Sequence, residues 1–147
     1  MLFRSISTLV ELIRTSKDED TRLRAAESLG KIDKDNPVAI STLFEVIGTS
    51  QDKNTRWQAV ESLVEIGKDN PVAISALVEL IRKLGDGYIG WGAIASLENI
   101  SENNPVAISA LVNLIVTFKR QVVSHQAAKS LAEICKNNPV SISALVE

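Results

Sequence analysis

The sequence is poor in the residues that build covalent, metal-binding or catalytic sites. It contains one cysteine, Cys135, and one histidine, His125, among 147 residues. A single cysteine excludes an intramolecular disulfide and suits a reducing cytoplasm. One histidine and one cysteine cannot form a metal site of ordinary ligand number without several carboxylates. No acid stands near Ser124 and His125 in the sequence to complete a catalytic triad. We therefore expect no bound metal, no cofactor and no enzymatic activity.

Long apolar runs and a strong charge of one sign are also missing. The apolar runs are far shorter than the ~20 residues that a membrane span needs. Residues 1–4 lead directly into an amphipathic stretch, without the pattern of a signal peptide. The net charge is −2, and the basic excess of residues 105–138 is too small for a nucleic-acid surface. We therefore expect a cytoplasmic protein that binds neither membrane nor nucleic acid.

Repetition is what the sequence has in abundance. All four prolines follow an asparagine, at Asn36, Asn70, Asn104 and Asn138, each 34 residues after the last. The similarity extends on both sides of this marker, which indicates a repeat array in a single domain. We divide the chain into four units and a partial fifth, at 3–36, 37–70, 71–104, 105–138 and 139–147.

Each unit is predicted to be a pair of helices. In residues 37–70, Asn36 is a suitable N-cap and Pro37 suits the first helical position. The second helix is predicted to start near Asp52 or Asn54 and to stop at Gly67. Neither helix can bury its apolar stripe alone, so the units must stack into an α-solenoid. The predicted core consists of Ala25, Leu29, Ile32, Ile40, Leu43, Ile47 and their equivalents one period on.

The second helices carry a recognisable signature. Tetratricopeptide repeats share the period of 34, but their Trp-x-x-Leu-Gly pattern is absent from the first helix, which reads Ile-Ser-Ala-Leu-Val. The second helix resembles the short HEAT-like repeat, with Asp, Arg, Ala, Leu and Ile at spacings of 4, 3, 4 and 3. In the first two units these residues are Asp18, Arg22, Ala25, Leu29, Ile32 and Asp52, Arg56, Ala59, Leu63, Ile66. The third unit has Gly90 in the arginine place, and the fourth has Ser124.

The resemblance implies a right-handed all-α solenoid that serves as a binding scaffold. The units are similar to those of phycobilin lyases and to those that trail some bacterial NACHT-type signalling NTPases. We therefore expect a bacterial, non-catalytic scaffold or regulatory module with a protein partner. The alternative is a lyase-like protein that handles a tetrapyrrole. A segment of a longer NTPase is a third reading, because the chain starts without a cap residue and ends within a helix.

The units differ chiefly in their second helices. Between the third and fourth units, residues 70–81 and 104–115 agree at eleven of twelve positions. The second helices, residues 88–102 and 122–136, agree at only four of fifteen. Recent duplication of the first helices could explain this contrast. Recognition by the second helices, which line the concave face of HEAT-like arrays, also explains it.

The candidate binding residues lie on the variable face of the second helices and on its flank. With the Ala, Leu and Ile of the signature facing the core, the opposite face falls at positions 20, 24, 27 and 31 and their equivalents. The indoles of Trp57 and Trp91 hold equivalent flank positions, so we expect a spacing of roughly 10 Å, that of packed helices. The alternative to partner binding is that indoles at these flank positions fill the groove between adjacent units. The predicted partner-binding residues are Trp57, Gln58, Tyr88, Trp91, His125, Gln126 and Lys129.

One apparent nucleotide motif is rejected on its context. Residues 85–90 match the dinucleotide fingerprint G-x-G-x-x-G, but a predicted helix precedes them where the motif needs a strand. Gly90 and Gly92, near the start of a helix, each cost about 1 kcal/mol relative to alanine. They either leave room beside Trp57 and Trp91 or reflect the degeneration of one unit.

We predict head-to-tail self-association through the ends of the array. Residues 139–147 supply one helix with Ile142, Leu145 and Val146 on one face, and residues 2–3 are also apolar. Neither end has the polar capping unit that usually closes a solenoid, and exposed apolar ends favour contacts between copies. Light scattering should show concentration-dependent association that Leu145→Glu weakens. A strict monomer at high micromolar concentration, unaffected by that substitution, would contradict this expectation.

Overall fold

All regular segments in the described part of the chain are α-helices. The computed structural model describes residues 2–68, 70–84, 87–100, 104–117, 125, 128–129, 131–133 and 136. The helices with described bounds are α1 (Leu2–Thr15), α2 (Glu19–Ile32), α3 (Pro37–Thr49), α4 (Lys53–Gly67), α5 (Pro71–Leu84), α6 (Gly87–Ile100) and α7 (Pro105–Thr117). Residues 125, 128–129 and 131–133 are also helical. The predicted all-α fold is confirmed.

The repeated asparagine begins the first helix of a unit. The Oδ1 atom of Asn36 accepts a hydrogen bond of 2.9 Å from the backbone N–H of Val38. Asn104 does the same for Ala107, at 3.2 Å. These bonds satisfy backbone donors that have no partner within the helix. Pro37 needs no such partner at the first helical position, which explains why Asn-Pro recurs.

The aspartate of the signature begins the second helix. Asp18 accepts hydrogen bonds from the hydroxyl and from the backbone N–H of Thr21, the latter at 3.1 Å. Asp52 accepts from the hydroxyl of Thr55 at 2.7 Å and from the backbone N–H of Asn54 at 3.2 Å. The threonine hydroxyl, followed by the backbone N–H, lowers the pKa of both carboxyl groups, because these donors stabilise the charged form.

The arginine of the signature ties the two helices of a unit together. The Nε atom of Arg56 donates to the carbonyl oxygen of Ile47 at 2.8 Å, and Arg22 reaches Ile13 in the same way at 3.3 Å. Both carbonyls lie in the last turn of a first helix, where a backbone partner is lacking and a cation is favoured. Arg22 also donates to both oxygens of Glu45 in the next unit, at 3.1 and 2.9 Å. The side-chain bond from Arg22 lowers the pKa of Glu45.

Packing joins the helices into two layers. Helices adjacent in the sequence pack along α1 to α5, and α6 packs on α7. In addition, α2 packs on α4 and α4 on α6, while α3 packs on α5 and α5 on α7. The second helices α2, α4 and α6 therefore form one layer, and the first helices α3, α5 and α7 form the other. This arrangement confirms the α-solenoid.

One apolar core runs between the two layers. Its largest fully buried side chains are Leu23, Leu29, Leu43, Ile47, Leu63, Ile74, Leu77, Ile81, Ile89, Ile94, Leu97 and Ile108. Most of the predicted core positions are buried, but Ile32 is 40% exposed and Ile40 is only partly buried. The prediction was wrong for these two positions.

Glycines at helix contacts explain both exceptions. A Cβ atom on Gly30 would lie 2.5 Å from Ile66, so this glycine of the preceding unit lets Ile66 become buried. Ile32 is the equivalent residue of the first unit, for which the structure describes no preceding pair. A Cβ atom on Gly67 would likewise lie 2.5 Å from Ile74. Asp33 holds the position equivalent to Gly67 one unit earlier, and its side chain leaves less room for Ile40 of α3.

We predict that the free energy of unfolding falls as the pH drops below the ordinary carboxyl values of 3.8 and 4.5. The pKa values of Asp18, Asp52 and Glu45 are lowered in the folded state. Such groups stabilise the fold above their unfolded pKa and lose this contribution as the pH falls through the folded pKa. Urea unfolding followed by circular dichroism, at about pH 6 and about pH 3, measures the loss.

Asp52→Asn is the matched variant for this pH dependence. Asparagine keeps an N-cap oxygen but does not titrate in this range. The variant should therefore lose less stability than the natural chain between the two pH values. Equal losses in the two proteins would contradict the assignment of this effect to the capping carboxylate.

Candidate functional site

The layer of second helices presents a continuous face along α2, α4 and α6. The predicted register of this face agrees with the exposure of its side chains. Its exposed residues are Asp20, Arg24, Lys31, Asn54, Gln58, Glu61, Glu65, Tyr88 and Asn99. Because α4 packs on both α2 and α6, side chains from three units meet on this face. We call it the second-helix face.

A charged groove lies between α2 and α4. Glu27 holds its two sides together, since its Oε1 atom accepts from Gln58 Nε2 at 3.1 Å and from Ser62 Oγ at 2.7 Å. The groove has a volume of about 640 Å³. Its lining mixes both signs of charge, with Glu27, Glu61 and Glu65 beside Lys31, Lys34 and Lys68. The groove therefore has no dominant charge.

Three aromatic side chains meet between α4 and α6. The ring centroid of Trp57 lies 5.3 Å from that of Tyr88 and 5.9 Å from that of Trp91. Both pairs are edge to face, with interplanar angles of 62° and 82°, the geometry that aromatic quadrupoles prefer. We call these three residues the aromatic cluster. Tyr88 remains 39% exposed and Trp91 47% exposed, whereas Trp57 is half-buried.

Gly92 provides the space for the central indole. A Cβ atom on Gly92 would lie 3.0 Å from two ring carbons of Trp57. Gly92 was expected on the open face, but the ring covers it and it is buried. The expected spacing of roughly 10 Å between the two indoles was wrong, because it is the spacing of packed helix axes and takes no account of side-chain direction. The ring centroids of Trp57 and Trp91 are 5.9 Å apart. Trp57 thus packs between units, while Trp91 stays accessible.

Charged side chains flank the aromatic cluster on two sides. The Nε1–H group of Trp57 donates to Glu61 Oε1 at 2.9 Å, one helical turn along α4. The ammonium group of Lys53 lies 5.5 Å from the ring centroid of Tyr88, within the range of a cation–π interaction. The cluster therefore offers apolar ring faces beside a carboxylate that is held in place.

The structure brings together four of the seven predicted site residues. Gln58 is exposed and adjoins both the charged groove and an open pocket that Trp57, Tyr88 and Trp91 line. His125 and Lys129 are exposed helical residues after α7, and Gln126 lies outside the described residues. Glu61 is not among the residues predicted from the sequence. Its spacing of four residues from Trp57 was the available signal, because residues i and i+4 share one helix face.

The other candidate features of the sequence have the following places in the structure. The described residues contain no group of three or more His, Cys, Asp or Glu side chains that could hold a metal ion. Gly87 and Gly90 lie inside α6, a setting that differs from the strand-to-helix turn of a dinucleotide site. Cys135 lies outside the described residues. Among the helices that are described, none combines the length and apolar character needed to cross a membrane.

Comparison with known proteins identifies the repeat type. A family model described as HEAT repeats matches residues 6–98, which is more than half of the 147 residues. No curated protein and no solved structure gives a significant match. The matched segment contains α2 to α5 entirely and most of α6, so it includes the aromatic cluster.

We predict that Gly92→Ala disturbs the aromatic cluster. Alanine favours a helix over glycine by up to about 1 kcal/mol, but at this position its methyl group must displace the Trp57 indole. Gly48→Ala is the matched control, because nothing lies within 4 Å of a Cβ atom there. We expect Gly48→Ala to stabilise the protein and Gly92→Ala to gain less or to destabilise it.

Tryptophan fluorescence supplies the second measurement for this pair of variants. The chain has two tryptophans, and both belong to the aromatic cluster. Gly92→Ala should change the emission spectrum, whereas Gly48→Ala should leave it unchanged. Equal stabilisation by the two substitutions, with unchanged emission in both, would show that Gly92 does not support the cluster.

Proposed function

Because the chain belongs to the HEAT-repeat family, we propose that it is a non-catalytic scaffold or regulatory module that binds a partner protein on its second-helix face. HEAT repeats commonly mediate protein–protein interactions. Fold alone does not determine function, so the proposal rests on the surface of this chain. The proposed binding residues are Trp57, Gln58, Tyr88, Trp91, His125, Gln126 and Lys129.

The aromatic cluster is the observation that carries the proposal. Trp and Tyr dominate the binding energy of protein interfaces when a partner excludes water from them. Trp91 and Tyr88 are both substantially exposed, although a large apolar ring would be more stable in the core. Trp57 contacts both rings edge to face, and Gly92 leaves room for the Trp57 indole. The side chains of Trp91 and Tyr88 therefore lose little conformational freedom when a partner binds. A partner that covers Trp91 and Tyr88 would also contact the charged groove beside them.

The tetrapyrrole alternative has weaker support. A flat macrocycle needs a slot between ring faces, but Trp57 contacts Tyr88 and Trp91 edge to face, with centroids only 5.3 and 5.9 Å away. Titration with a bilin tests this alternative directly, because a bound bilin changes its absorbance spectrum. A saturable change that Trp91→Ala abolishes would favour the alternative over a protein partner.

The remaining expectations concern location and assembly. The single cysteine supports a reducing cytoplasm as the location. The net charge of −2 and the mixed charges of the groove favour a protein over a nucleic acid as partner. Head-to-tail self-association stays a prediction, because residues 139–147 lie outside the described residues.

The test of the proposal is a partner identified by affinity capture from the native host, followed by affinity measurements on single variants. Trp91→Ala should weaken binding by about 2 kcal/mol, which is roughly 30-fold. Gln58→Ala, Tyr88→Ala, Gln126→Ala and Lys129→Ala probe the rest of the face. Such surface changes should leave the free energy of unfolding nearly unchanged.

Exposed residues of the first helices provide the matched controls. Val72 is 73% exposed on α5, and Ser75 is also exposed there. Val72→Ala and Ser75→Ala should leave the partner affinity unchanged. If these controls abolish binding while the second-helix variants retain it, the partner binds the opposite layer and the proposed face is wrong.

A further inference from the structure

The open pocket beside the aromatic cluster has the composition of a cation site. Its lining consists of Asn54, Trp57, Gln58, Glu61, Tyr88 and Trp91. These residues provide three aromatic rings, two amides and one carboxylate, and no lysine or arginine is among them. The pocket is therefore electronegative, in contrast to the mixed charges of the neighbouring groove. A partner group that fits it carries positive charge.

The central indole holds the carboxylate of this pocket in place. Trp57 Nε1 donates to Oε1 of Glu61, and Gly92 sets the position of the indole in turn. Within the described part of the chain, the second oxygen, Oε2, accepts no hydrogen bond. Among the described residues, Oε2 is therefore left as an acceptor in the pocket that Trp91 also lines. A held carboxylate loses less side-chain entropy on binding than a freely rotating one.

The cluster already attracts a cation within the chain. Lys53 places its ammonium group 5.5 Å from the ring centroid of Tyr88, although it does not line the pocket. Aromatic faces attract cations through their quadrupole, and indole does so most strongly. The ring of Trp91 is 47% exposed and offers this surface to another molecule.

We propose that this pocket binds an arginine side chain of the partner protein. The planar guanidinium stacks on the exposed face of Trp91 and donates to Oε2 of Glu61. Arginine fits better than lysine, because a planar fork stacks on an indole and directs N–H groups at a carboxylate at the same time. This inference rests on the proposed function and specifies the chemistry of the partner at one point of the second-helix face.

The test uses three short probes and the fluorescence of the two tryptophans. The probes are N-acetylated, C-amidated Gly-X-Gly tripeptides in which X is arginine, lysine or citrulline. Citrulline has nearly the shape of arginine but carries no charge. Titration of the full chain should give saturable binding of the arginine peptide, about tenfold tighter than that of the citrulline peptide. The lysine peptide should bind more weakly than the arginine peptide, and added salt should weaken arginine binding.

Glu61→Gln and Glu79→Gln form the matched pair of variants. Glutamine at position 61 keeps an oxygen that can accept from the Trp57 indole, so it removes the charge and preserves the support of the ring. We expect Glu61→Gln to reduce the affinity for the arginine peptide to that for the citrulline peptide. Glu79 is exposed on α5 in the other layer, and its substitution should change nothing.

Several outcomes would overturn the inference. These are equal affinity for arginine and citrulline, equal or tighter binding of lysine, the absence of saturable binding, and an arginine affinity that Glu61→Gln does not change. The proposed function fails separately. If the captured partner depends on Trp91 but the arginine peptide does not bind, the scaffold proposal stands and the arginine site falls. If the peptide binds but the partner does not depend on Trp91, the pocket binds a guanidinium, but the proposal that it receives an arginine of the partner falls together with the assignment of Trp91 to the binding face.

Discussion

The fold depends on one constraint, which is that a helix pair can bury its apolar stripes only against the next pair. Helices α4 and α5 illustrate it, because their buried residues are covered from both neighbouring units. The contact requires close approach, and Gly30 and Gly67 permit it where a Cβ atom would lie 2.5 Å from an isoleucine. A solenoid of this kind is held together by interfaces between nearest neighbours. Its stability and its binding surface therefore have the same origin.

The aromatic cluster follows from this stacking. Equivalent positions of successive units lie beside one another, so a large side chain at such a position reaches the helix of the next unit. Trp57 uses this reach to cover Gly92 and to contact Tyr88 and Trp91. In the first unit the equivalent residue is Leu23, which is completely buried. The candidate site thus arises where the position of the core leucine is taken by an indole, which is half-buried at Trp57 and 47% exposed at Trp91.

The structural features that recur from unit to unit could be predicted from the sequence. The caps at Asn36 and Asp52 and the end of α4 at Gly67 follow from local chemistry, and they occur as predicted. The partial exposure of Ile40 did not follow, because it depends on which residue the neighbouring helix presents at the contact. Inspection of a single unit cannot reveal this dependence.

The geometry of the candidate site was less accessible from the sequence. The variable face and the residues Trp57, Gln58, Tyr88 and Trp91 could be chosen by comparing units with one another. Their arrangement depends on side-chain rotamers, which periodicity does not specify. The indole of Trp57 turns over Gly92 and donates to Glu61, and this orientation makes the carboxylate part of the pocket. The spacing of four residues places Glu61 on the same helix face as Trp57, but spacing alone does not specify this hydrogen bond.

The arginine links also differ along the chain, and the third unit lacks this link. Arg22 and Arg56 each tie their own helix to the preceding one, but Gly90 stands at this place in the third unit and has no side chain to do so. Local opening of a repeat array starts where the fewest bonds must break. Amide hydrogens of α6 should therefore exchange with solvent faster than those of α4. A ligand that contacts both Trp57 and Trp91 connects α4 to α6 and slows this exchange. Ligand binding to the surface therefore stabilises the third unit against local opening.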